Sequence, residues 1–428
     1  MPIVRNSFEH KCQKPRCDQE LSLAATLARR LGQAIDAARA SAAHGGVGRW
    51  SAAAKVATMR SVRILGLATA GHKPSDEELR SAIAADLLPD VIMADDAAEI
   101  TSLDERHLAS VGGLRGRVLR ALPAPLALAL EVWPRRREFD AVLSWGERLA
   151  FPVALAMALA RGPRAGHIAI LMWPLSTAGS SRVKRLARGA ILPLLARRGM
   201  DRLCVPAPRQ RQLVIERWRI PQERLVAANW PVDTKFWRPS DQVGDMIVSV
   251  GREMRDYGTL LAALRPLQIP CHIAAGTGPL NVAFLSDDDR ASNVSGEALP
   301  ANVTVAPKSP VELRELYRRA RIVVIPILPS ESDNGITAIA EAMAMGCAVI
   351  STDTVGKAEI LLDGVTCVLV PPSDPVTLRA AIEELWDDPR RCAWLGANAR
   401  ERVVAQHGID QWLSAIRAGA RDPILASR

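Results

Sequence analysis

One segment in the second half of the chain constrains the fold more than any other stretch. It begins with a β-branched run typical of a buried strand, RIVVIP (Arg321–Pro326). A loop with turn-forming proline, serine and Asn-Gly follows at Pro329–Gly335. Ile336–Met345 has apolar residues at helical spacing and stops at Gly346, and a second apolar run follows at Cys347–Ser351. Strand, loop, short helix, turn and strand together predict a βαβ unit of a parallel sheet.

Acidic side chains surround the predicted N-terminus of this helix. In a βαβ unit that terminus points to the carboxyl edge of the sheet, where its free N–H groups favour an anion such as a phosphate. Glu331 and Asp333 precede the terminus, and Glu341 lies within the helix. Carboxylates accept hydrogen bonds and donate none, which suits the hydroxyls of a ribose or another sugar. The segment therefore predicts a site for a sugar attached to a diphosphate.

These residues resemble the E-x7-E motif of the retaining family 4 glycosyltransferases. Asp333 and Glu341 are eight positions apart, as in that motif, and EAMAMG (Glu341–Gly346) is the usual continuation in the family. The first acid is Asp where the family usually has Glu, and Glu331 takes that position if the loop carries an insertion. On this segment alone, any other Rossmann-like βαβ unit remains a competing interpretation.

Length and charge limit the classes of function. At 428 residues the chain exceeds the size of a single core, which predicts two domains of ordinary size. A net charge of +9 suits a nucleic acid, an anionic membrane surface or a phosphorylated substrate. The chain has only two tyrosines and five phenylalanines and no basic patch with interleaved aromatic residues, so we rank nucleic acid last.

Cysteine content and the length of apolar runs bear on the compartment. Seven scattered cysteines, an odd number, predict reduced thiols in a cytoplasmic protein. The longest apolar runs, near Ala121–Leu130 and Leu149–Ala160, are too short to cross a bilayer, so we expect no transmembrane helix. Residues 1–58 have the composition of an extension, either disordered or helical. We expect a chain that starts at Met59 to fold without it.

Short apolar runs at intervals of helical length predict a parallel α/β sheet in the first half of the chain. These runs are Val62–Ala68, Asp90–Ala94, Asp140–Ser144, His167–Met172 and Asp201–Val205. The G-x-G-x-x-G signature of a dinucleotide site is absent after the first run. In glycosyltransferases of the GT-B fold, the loop at this place is usually glycine-rich and faces the donor. The resemblance therefore implies a donor contact for Gly71.

Two segments of the first half are basic and amphipathic, Gly113–Arg137 and Arg182–Arg198. Helices with an apolar face bordered by arginines often lie on anionic membranes. A covered surface helix with one solvated face has the same pattern. We favour the membrane interpretation because the charge clusters in this half, and because family 4 enzymes often use lipid-linked acceptors.

The region around the middle of the chain resembles the same family. LVAANWPVDTKFWRP (Leu225–Pro239) is similar to the segment that closes the first domain, and Ser240–Gly244 has the composition of a linker. Met246–Gly251 then opens the second domain, and Arg252 matches the arginine that the family places on the donor diphosphate. The usual Lys-Gly is absent, and Arg255 is the nearest cation able to substitute, because a guanidinium suits phosphate oxygens.

The resemblance implies a specific architecture. We expect the GT-B fold, an α/β arrangement of two Rossmann-like domains whose parallel sheets face each other across a cleft. Residues 59–239 would form the acceptor-side domain after the extension of residues 1–58. Residues 240–428 would form the domain that binds the nucleotide-sugar, with the last helix, about 403–420, returning to the first domain.

The implied activity is retaining transfer of a hexosyl group from a nucleotide-diphosphate sugar to an acceptor hydroxyl, in glycolipid or polysaccharide synthesis. The donor is a co-substrate, and neither a cofactor nor a metal is required. The implied partners are a lipid-linked or saccharide acceptor and an anionic membrane surface, without nucleic acid. The expected location is the cytoplasm, with the inner face of the membrane as a candidate. A non-catalytic nucleotide-sugar-binding relative and an epimerase of the same fold remain alternatives.

By the family pattern, Glu341 holds the ribose hydroxyls, and the catalytic residue that holds the transferred sugar is Asp333 or Glu331. Fixed positive groups hold the departing diphosphate, on which charge develops in the transition state. The expected donor-binding set is Arg252, Arg255, Gly335, Ile336, Thr337, Glu341 and Gly71.

Overall fold

The computed structural model describes residues 62–68, 76–90, 98–160, 162, 164–172, 182–240, 244–275 and 299–421. These residues form two parallel sheets of six strands each, with helices on both faces. Residues 1–61, with the predicted extension and Met59, and Gly71 in the first loop lie outside the described residues. No helix within the described part of the chain is long and apolar enough to cross a membrane.

The first sheet has the strand order β2-β1-β3-β4-β5-β6, and every neighbouring pair is parallel. Its strands are β1 (Val62–Leu67), β2 (Ala98–Leu103), β3 (Ala141–Trp145), β4 (Gly166–Ile170), β5 (Arg202–Cys204) and β6 (Leu225–Val226). Its helices are α1 (Asp76–Ala84), α2 (Glu105–Ser110), α3 (Gly113–Ala121), α4 (Ala124–Arg135), α5 (Glu147–Leu159), α6 (Arg182–Gly199) and α7 (Pro208–Trp218). The described second strand, Ala98–Leu103, was not among the predicted runs, and residues 91–94 of the run Asp90–Ala94 lie outside the described residues.

Helices cover both faces of the central strands, and for this reason β4 is buried along its whole length. His167, in the middle of β4, is the polar exception. Its Nδ1–H donates to Gly199 O (2.8 Å), which leaves Nε2 to accept from the Ser144 hydroxyl (2.8 Å). Asp201 accepts from the backbone N–H of His167 (2.8 Å), so this carboxylate does not orient the ring. Burial lowers the pKa of His167 to about 4. The group is a neutral, satisfied core network and is unsuited to nucleophilic catalysis.

The second sheet has the order β12-β11-β10-β7-β8-β9 and is also parallel throughout. Its strands are β7 (Met246–Val250), β8 (Cys271–Ala274), β9 (Val303–Val305), β10 (Ala320–Ile325), β11 (Ala348–Thr352) and β12 (Val368–Val370). Its helices are α8 (Tyr257–Leu264), α9 (Pro310–Arg318), α10 (Ile336–Ala344), α11 (Pro375–Asp387) and α12 (Pro389–Gln406). The βαβ unit predicted from the sequence is β10-α10-β11, at the centre of this sheet.

The last helix, α13 (Ile409–Arg421), packs on the first sheet although it follows the second in sequence. Its apolar face (Trp412, Leu413, Ile416, Ala420) joins the core beneath β1, β3 and β4. The crossing point is fixed by a backbone hydrogen bond from Val232 N–H to His407 O (2.8 Å). The returning helix therefore begins at Ile409, and residues 403–406 belong to α12.

A three-residue ionic contact also connects the two halves. Asp86, just after α1, accepts from Arg238 Nη2 (2.7 Å) and pairs with Arg314 Nη1 (2.9 Å) on α9. The Arg314 guanidinium in turn lies 4.2 Å from the ring centroid of Phe236. The hydrogen bonds from Arg238 and Arg314 hold the pKa of Asp86 well below its usual range. This contact ties the first half of the chain to both the inter-domain segment and the second half.

Candidate functional site

The N-terminus of α10 lies at the carboxyl edge of the second sheet, immediately after β10. Gly335 is its N-cap with φ +85°, a left-handed conformation that favours glycine. A Cβ at this position would lie 2.8 Å from Ile327 Cδ1 and 3.1 Å from Ile325 Cγ2, so close packing also requires glycine. The helix has no side-chain cap and no acid in its first turn, whose residues include Ile336 and the exposed Thr337. Such a terminus favours an anion.

Arg255 is a buried cation beside this terminus. Its Nε donates to Val250 O (2.8 Å) and its Nη1 to Glu253 O (2.8 Å). A Cβ on Gly335 would lie 3.2 Å from Nη1, which places the guanidinium against the N-cap of α10. Burial lowers the pKa of Arg255, and no carboxylate of the described residues is hydrogen-bonded to it. The charges of Glu253 and Glu341 oppose this shift without a hydrogen bond to the guanidinium. A guanidinium at a helix N-terminus is suited to an anionic ligand.

Backbone hydrogen bonds explain how the loop after β7 brings Arg255 to α10. Leu328 N–H donates to Met254 O (2.9 Å), and Asp256 N–H donates to Pro326 O (3.0 Å). The loop is therefore paired with the segment that follows β10. Arg252, two residues after β7, is half-buried at the start of the same loop. Of the two predicted arginines, Arg255 is the one that the structure places directly at the helix terminus.

Glu341 lies on α10 in contact with Tyr317 of α9. The Tyr317 hydroxyl is 3.2 Å from Glu341 Oε2 and 3.4 Å from Ala338 O. Although part of the Glu341 side chain reaches the surface, the surrounding protein desolvates its carboxylate and raises the pKa to about 8. The Tyr317 hydrogen bond and the charge of Arg255 oppose this shift. In the free protein the Glu341 carboxyl is therefore harder to ionise than an exposed glutamate.

Asp333 and Glu331, the two candidates for the first acid, lie in different environments. Asp333 is 6% exposed, and burial raises its pKa to about 6, against the opposing charge of Arg211. Glu331 has a side chain that is 56% exposed, with Oε1 4.0 Å from Arg209 Nη2. Asp333 is thus the buried acid next to α10, and Glu331 faces the first domain.

The first turn of α7 forms the opposite wall, and the sequence analysis did not single it out. Gln210 Nε2 donates to Glu331 O (3.2 Å), and Arg211 Nη1 lies 3.7 Å from Glu359 Oε1. Arg211 is anchored in its own domain by bonds to the backbone oxygens of Val205 and Pro206. One sequence signal could have identified this wall. A helix that starts with proline follows a predicted strand, and its first turn, PRQR, has two arginines and no acid.

A groove of about 740 Å³ opens between this wall and the second domain. Pro208 contributes from the first domain, and the segment after β11 contributes most of the other side. The lining on that side includes Asp353, Thr354, Lys357 and Glu359. Arg255, Asp333, Gly335 and Glu341 are not among its lining residues, so this groove does not include the N-terminus of α10. Among the described side chains, no group of three or more His, Cys, Asp or Glu residues is arranged to hold a metal ion.

Solved structures share this architecture over most of the chain. HepE from Anabaena in complex with UDP-glucose is 16% identical, with a TM-score of 0.59 over 83% of this chain and 99% of that one. Sucrose-phosphate synthase from Thermosynechococcus elongatus is 18% identical, with a TM-score of 0.57 over 84% and 97%. This chain has the GT-B fold. The predicted fold is thereby confirmed.

Sequence comparisons match the half of the GT-B fold that contains the site. The family described as Glycosyl transferases group 1 matches residues 247–388, which include all the described residues of the predicted site. The D-inositol 3-phosphate glycosyltransferase of Thermobispora bispora is 27% identical over 221 residues, 46% of this chain and 51% of that protein. The protein of the same name from Corynebacterium kroppenstedtii is 33% identical over 122 residues, 27% and 26% of the two chains. The chain thus aligns with about half or less of these curated relatives.

Proposed function

We propose that the protein is a glycosyltransferase that moves a hexosyl group from a nucleotide-diphosphate sugar to an acceptor hydroxyl with retention of configuration. The observation that carries the proposal is the buried Arg255 against the uncapped N-terminus of α10. A guanidinium and a helix terminus at one point form a site for a diphosphate. The match to group 1 glycosyl transferases over the same residues supports a sugar as the attached group.

In this proposal each predicted residue has a position relative to the donor. The diphosphate lies at the first turn of α10, with Arg255 on one side and Arg252 at the end of the same loop. Glu341 binds the ribose, and Asp333 binds the sugar that is transferred. Glu331, at the surface towards the first domain, is the alternative contact for the sugar or the acceptor.

The chemical step follows from this arrangement. The bond between the anomeric carbon and the diphosphate oxygen breaks as the acceptor oxygen bonds to the same carbon on the same face, which retains the configuration. The proton of the acceptor hydroxyl passes to the departing diphosphate, which gains negative charge. The α10 terminus and Arg255 already face that position, so they stabilise the charge without rearranging. In this mechanism the protein's own cations act on the leaving group, and no metal is required.

The acceptor side belongs to the first domain. We propose a lipid-linked or saccharide acceptor, a role in glycolipid or polysaccharide synthesis, and a cytoplasmic protein that binds peripherally to the membrane. Support comes from the net charge of +9, which suits phosphorylated or anionic partners. The first turn of α7, with Arg209 and Arg211 facing the site, is the part of this domain nearest to the reaction.

Ligand binding followed by turnover tests the proposal. Thermal-shift screening of UDP-, GDP- and ADP-sugars should identify one nucleotide that stabilises the protein. Transfer with that donor is then assayed against saccharide and lipid-linked acceptors, with release of the nucleoside diphosphate as readout. Arg255→Met should lose the stabilisation, whereas Arg390→Met, at an exposed position of α12, should keep it. Binding without transfer would support the non-catalytic relative, and conversion of the donor without an acceptor would support an epimerase.

A further inference from the structure

Two consecutive helices of the first domain expose large apolar side chains in regular stripes. On α3 these are Leu114 and Val118, four residues apart, and on α4 they are Leu126, Leu130 and Trp133. Each of the five is between 38% and 70% exposed. The spacings of four, four and three residues place the members of each stripe on one side of their helix. The opposite sides are buried, through Gly116 and Leu119 on α3 and through Ala127, Leu128 and Val132 on α4.

This concentration is unusual for the surface of the molecule. Of fourteen exposed large hydrophobic residues in the described part of the chain, five lie between positions 114 and 133. Single exposed apolar residues need no explanation, but clustered ones mark an interaction surface. We call the exposed side of these two helices the α3–α4 face, defined by Leu114, Val118, Leu126, Leu130 and Trp133.

The two helices that form the α3–α4 face are predominantly basic. Residues 113–137 contain six arginines and one glutamate, a net charge of +5. The glutamate, Glu131, is turned inward, with its side chain 1% exposed, and pairs with Arg115 (2.7 Å), Arg135 (2.7 Å) and His107 (3.0 Å). The acid is thus neutralised below the surface, and arginines such as Arg117 remain exposed around the apolar stripes.

The composition of the face indicates which partner fits it. Leucines with a tryptophan, bordered by arginines, match the boundary between lipid chains and anionic headgroups. The Arg136 guanidinium lies 4.8 Å from the ring centroid of Trp133, so aromatic and cationic groups are adjacent there. A second copy of the chain would bring an equal positive charge against this face, which disfavours self-association.

The second basic segment of the sequence does not offer a comparable surface in its described half. Leu194, Leu195 and Ala196 of α6 are buried against the first sheet and its neighbouring helices. Side chains of residues 182–188 lie outside the description, so the comparison concerns residues 189–199 only. The exposed apolar stripes belong to α3 and α4.

The direction of α4 relates the face to the cleft. Arg136 O, at the C-terminal end of α4, accepts from the backbone N–H of Ala165 (2.6 Å), directly before β4 begins. That end of α4 thus lies at the amino edge of the first sheet, and its N-terminal end points towards the carboxyl edge. Leu126 is at that end and Trp133 at the other. The carboxyl edge is where β5 leads into α7 and its contacts with Glu331. A membrane at the α3–α4 face therefore lies beside the domain that receives the acceptor.

We propose that the α3–α4 face docks the protein on an anionic lipid surface. Leu126, Leu130 and Trp133 enter the headgroup boundary, and the surrounding arginines contact lipid phosphates. The proposal rests on the peripheral membrane binding proposed above and specifies the surface that makes it. The docking itself does not depend on sugar transfer.

Vesicle co-sedimentation of the full chain tests the docking. Wild-type protein should bind vesicles of equal parts phosphatidylcholine and phosphatidylglycerol at low salt, and bind pure phosphatidylcholine and high-salt samples less. The double variant Leu126→Ser/Leu130→Ser should bind roughly tenfold or more weakly. Arg117→Gln should reduce binding to the anionic vesicles by a smaller factor. The matched control is Val376→Ser/Val404→Ser, which changes two exposed apolar residues of the second domain.

Each other result overturns the proposal. Failure of the wild-type protein to bind anionic vesicles at low salt would overturn it. An equal loss of vesicle binding in the control and in the Leu126→Ser/Leu130→Ser variant would also overturn it. A change from dimer to monomer in that variant, seen by light scattering, would assign the face to a second copy. Thermal shift with the nucleotide-sugar on the same variants separates the two proposals, because docking can fail while donor binding remains intact.

Discussion

Replacement of Arg255 by Met tests the proposed diphosphate site most directly. Met keeps much of the volume of the side chain and removes the charge beside the N-cap of α10. Loss of one charged hydrogen-bond partner typically costs about 1.5–3 kcal/mol. At 1.36 kcal/mol for each factor of ten, affinity for the nucleoside diphosphate should fall roughly 10- to 150-fold. The affinity for the corresponding nucleoside, which carries no phosphate, should change little.

The stability of the free protein should respond less than binding, because two effects oppose each other. The variant loses the bonds from Arg255 to Val250 O and Glu253 O, at about 1–3 kcal/mol for each unsatisfied buried group. It also removes a desolvated cation, whose burial costs several kcal/mol in the folded state. We therefore expect the Tm of the free protein to shift by no more than about 5 °C. Arg255→Lys keeps a charge without the fork geometry and should bind with intermediate affinity.

Isothermal titration calorimetry measures the affinity for the nucleoside diphosphate. Ligand-observed NMR measures the affinity for the nucleoside, which binds more weakly. Arg390→Met serves as the control for removal of an arginine elsewhere in the second domain. Wild-type affinity for the diphosphate in Arg255→Met would refute the site. So would an equal loss for nucleoside and diphosphate, because that would indicate a general collapse of the pocket.

Three further predictions concern the acids and the opposite wall of the site. Asp333→Asn should slow transfer while the nucleoside diphosphate still binds, and Glu331→Gln should change little; the reverse pattern would assign the first acid to Glu331. Burial raises the pKa of Glu341 to about 8 from an ordinary 4.5, so the unfolded chain binds fewer protons between these values and stability falls as pH rises through this window. Glu341→Gln should flatten the plot of Tm against pH there and weaken donor binding about tenfold or more, and an unchanged slope would contradict the assigned burial. Arg211→Met removes a charge that lowers the pKa of Asp333, so the acidic limb of the rate–pH profile should move to higher pH. The partly exposed pair with Glu359 contributes at most about 1 kcal/mol, and the lost bonds to Val205 O and Pro206 O should also lower the Tm. An unmoved acidic limb of the rate–pH profile would exclude Arg211 from the site.

Local sequence signals sufficed for the centre of the second domain. The β-branched run of β10, the glycines at 335 and 346, and the helical spacing between them determine a strand, a short helix and its two ends. These signals are readable because each depends on neighbours a few residues away. The GT-B fold followed from the resemblance carried by these residues, and the structure confirms it. The eight-residue spacing also located α10, on which Glu341 meets Tyr317.

Local signals were less informative in the first domain. The described second strand, Ala98–Leu103, was not predicted, and residues 91–94 of the predicted run Asp90–Ala94 lie outside the described residues. That strand reads AEITSL and has few apolar residues. Among the described strands it is an edge strand paired with β1, and an edge strand has less need of a continuous apolar run. Likewise, Gly113–Arg137 and Arg182–Arg198 are similar in composition, and only packing shows which apolar side chains remain uncovered.

The sequence by itself determined the elements, the parallel α/β class and the set of acids and arginines from which a donor site could be built. Tertiary structure decided which of them meet. Arg255 became a buried cation because backbone pairing with the segment after β10 brought its loop to α10. Arg209 and Gln210 meet Glu331 because two domains pack together, and the partners are more than a hundred residues apart in the chain. Periodicity and spacing report forces between near neighbours, whereas desolvation and cross-domain charge contacts depend on surfaces that exist only after folding.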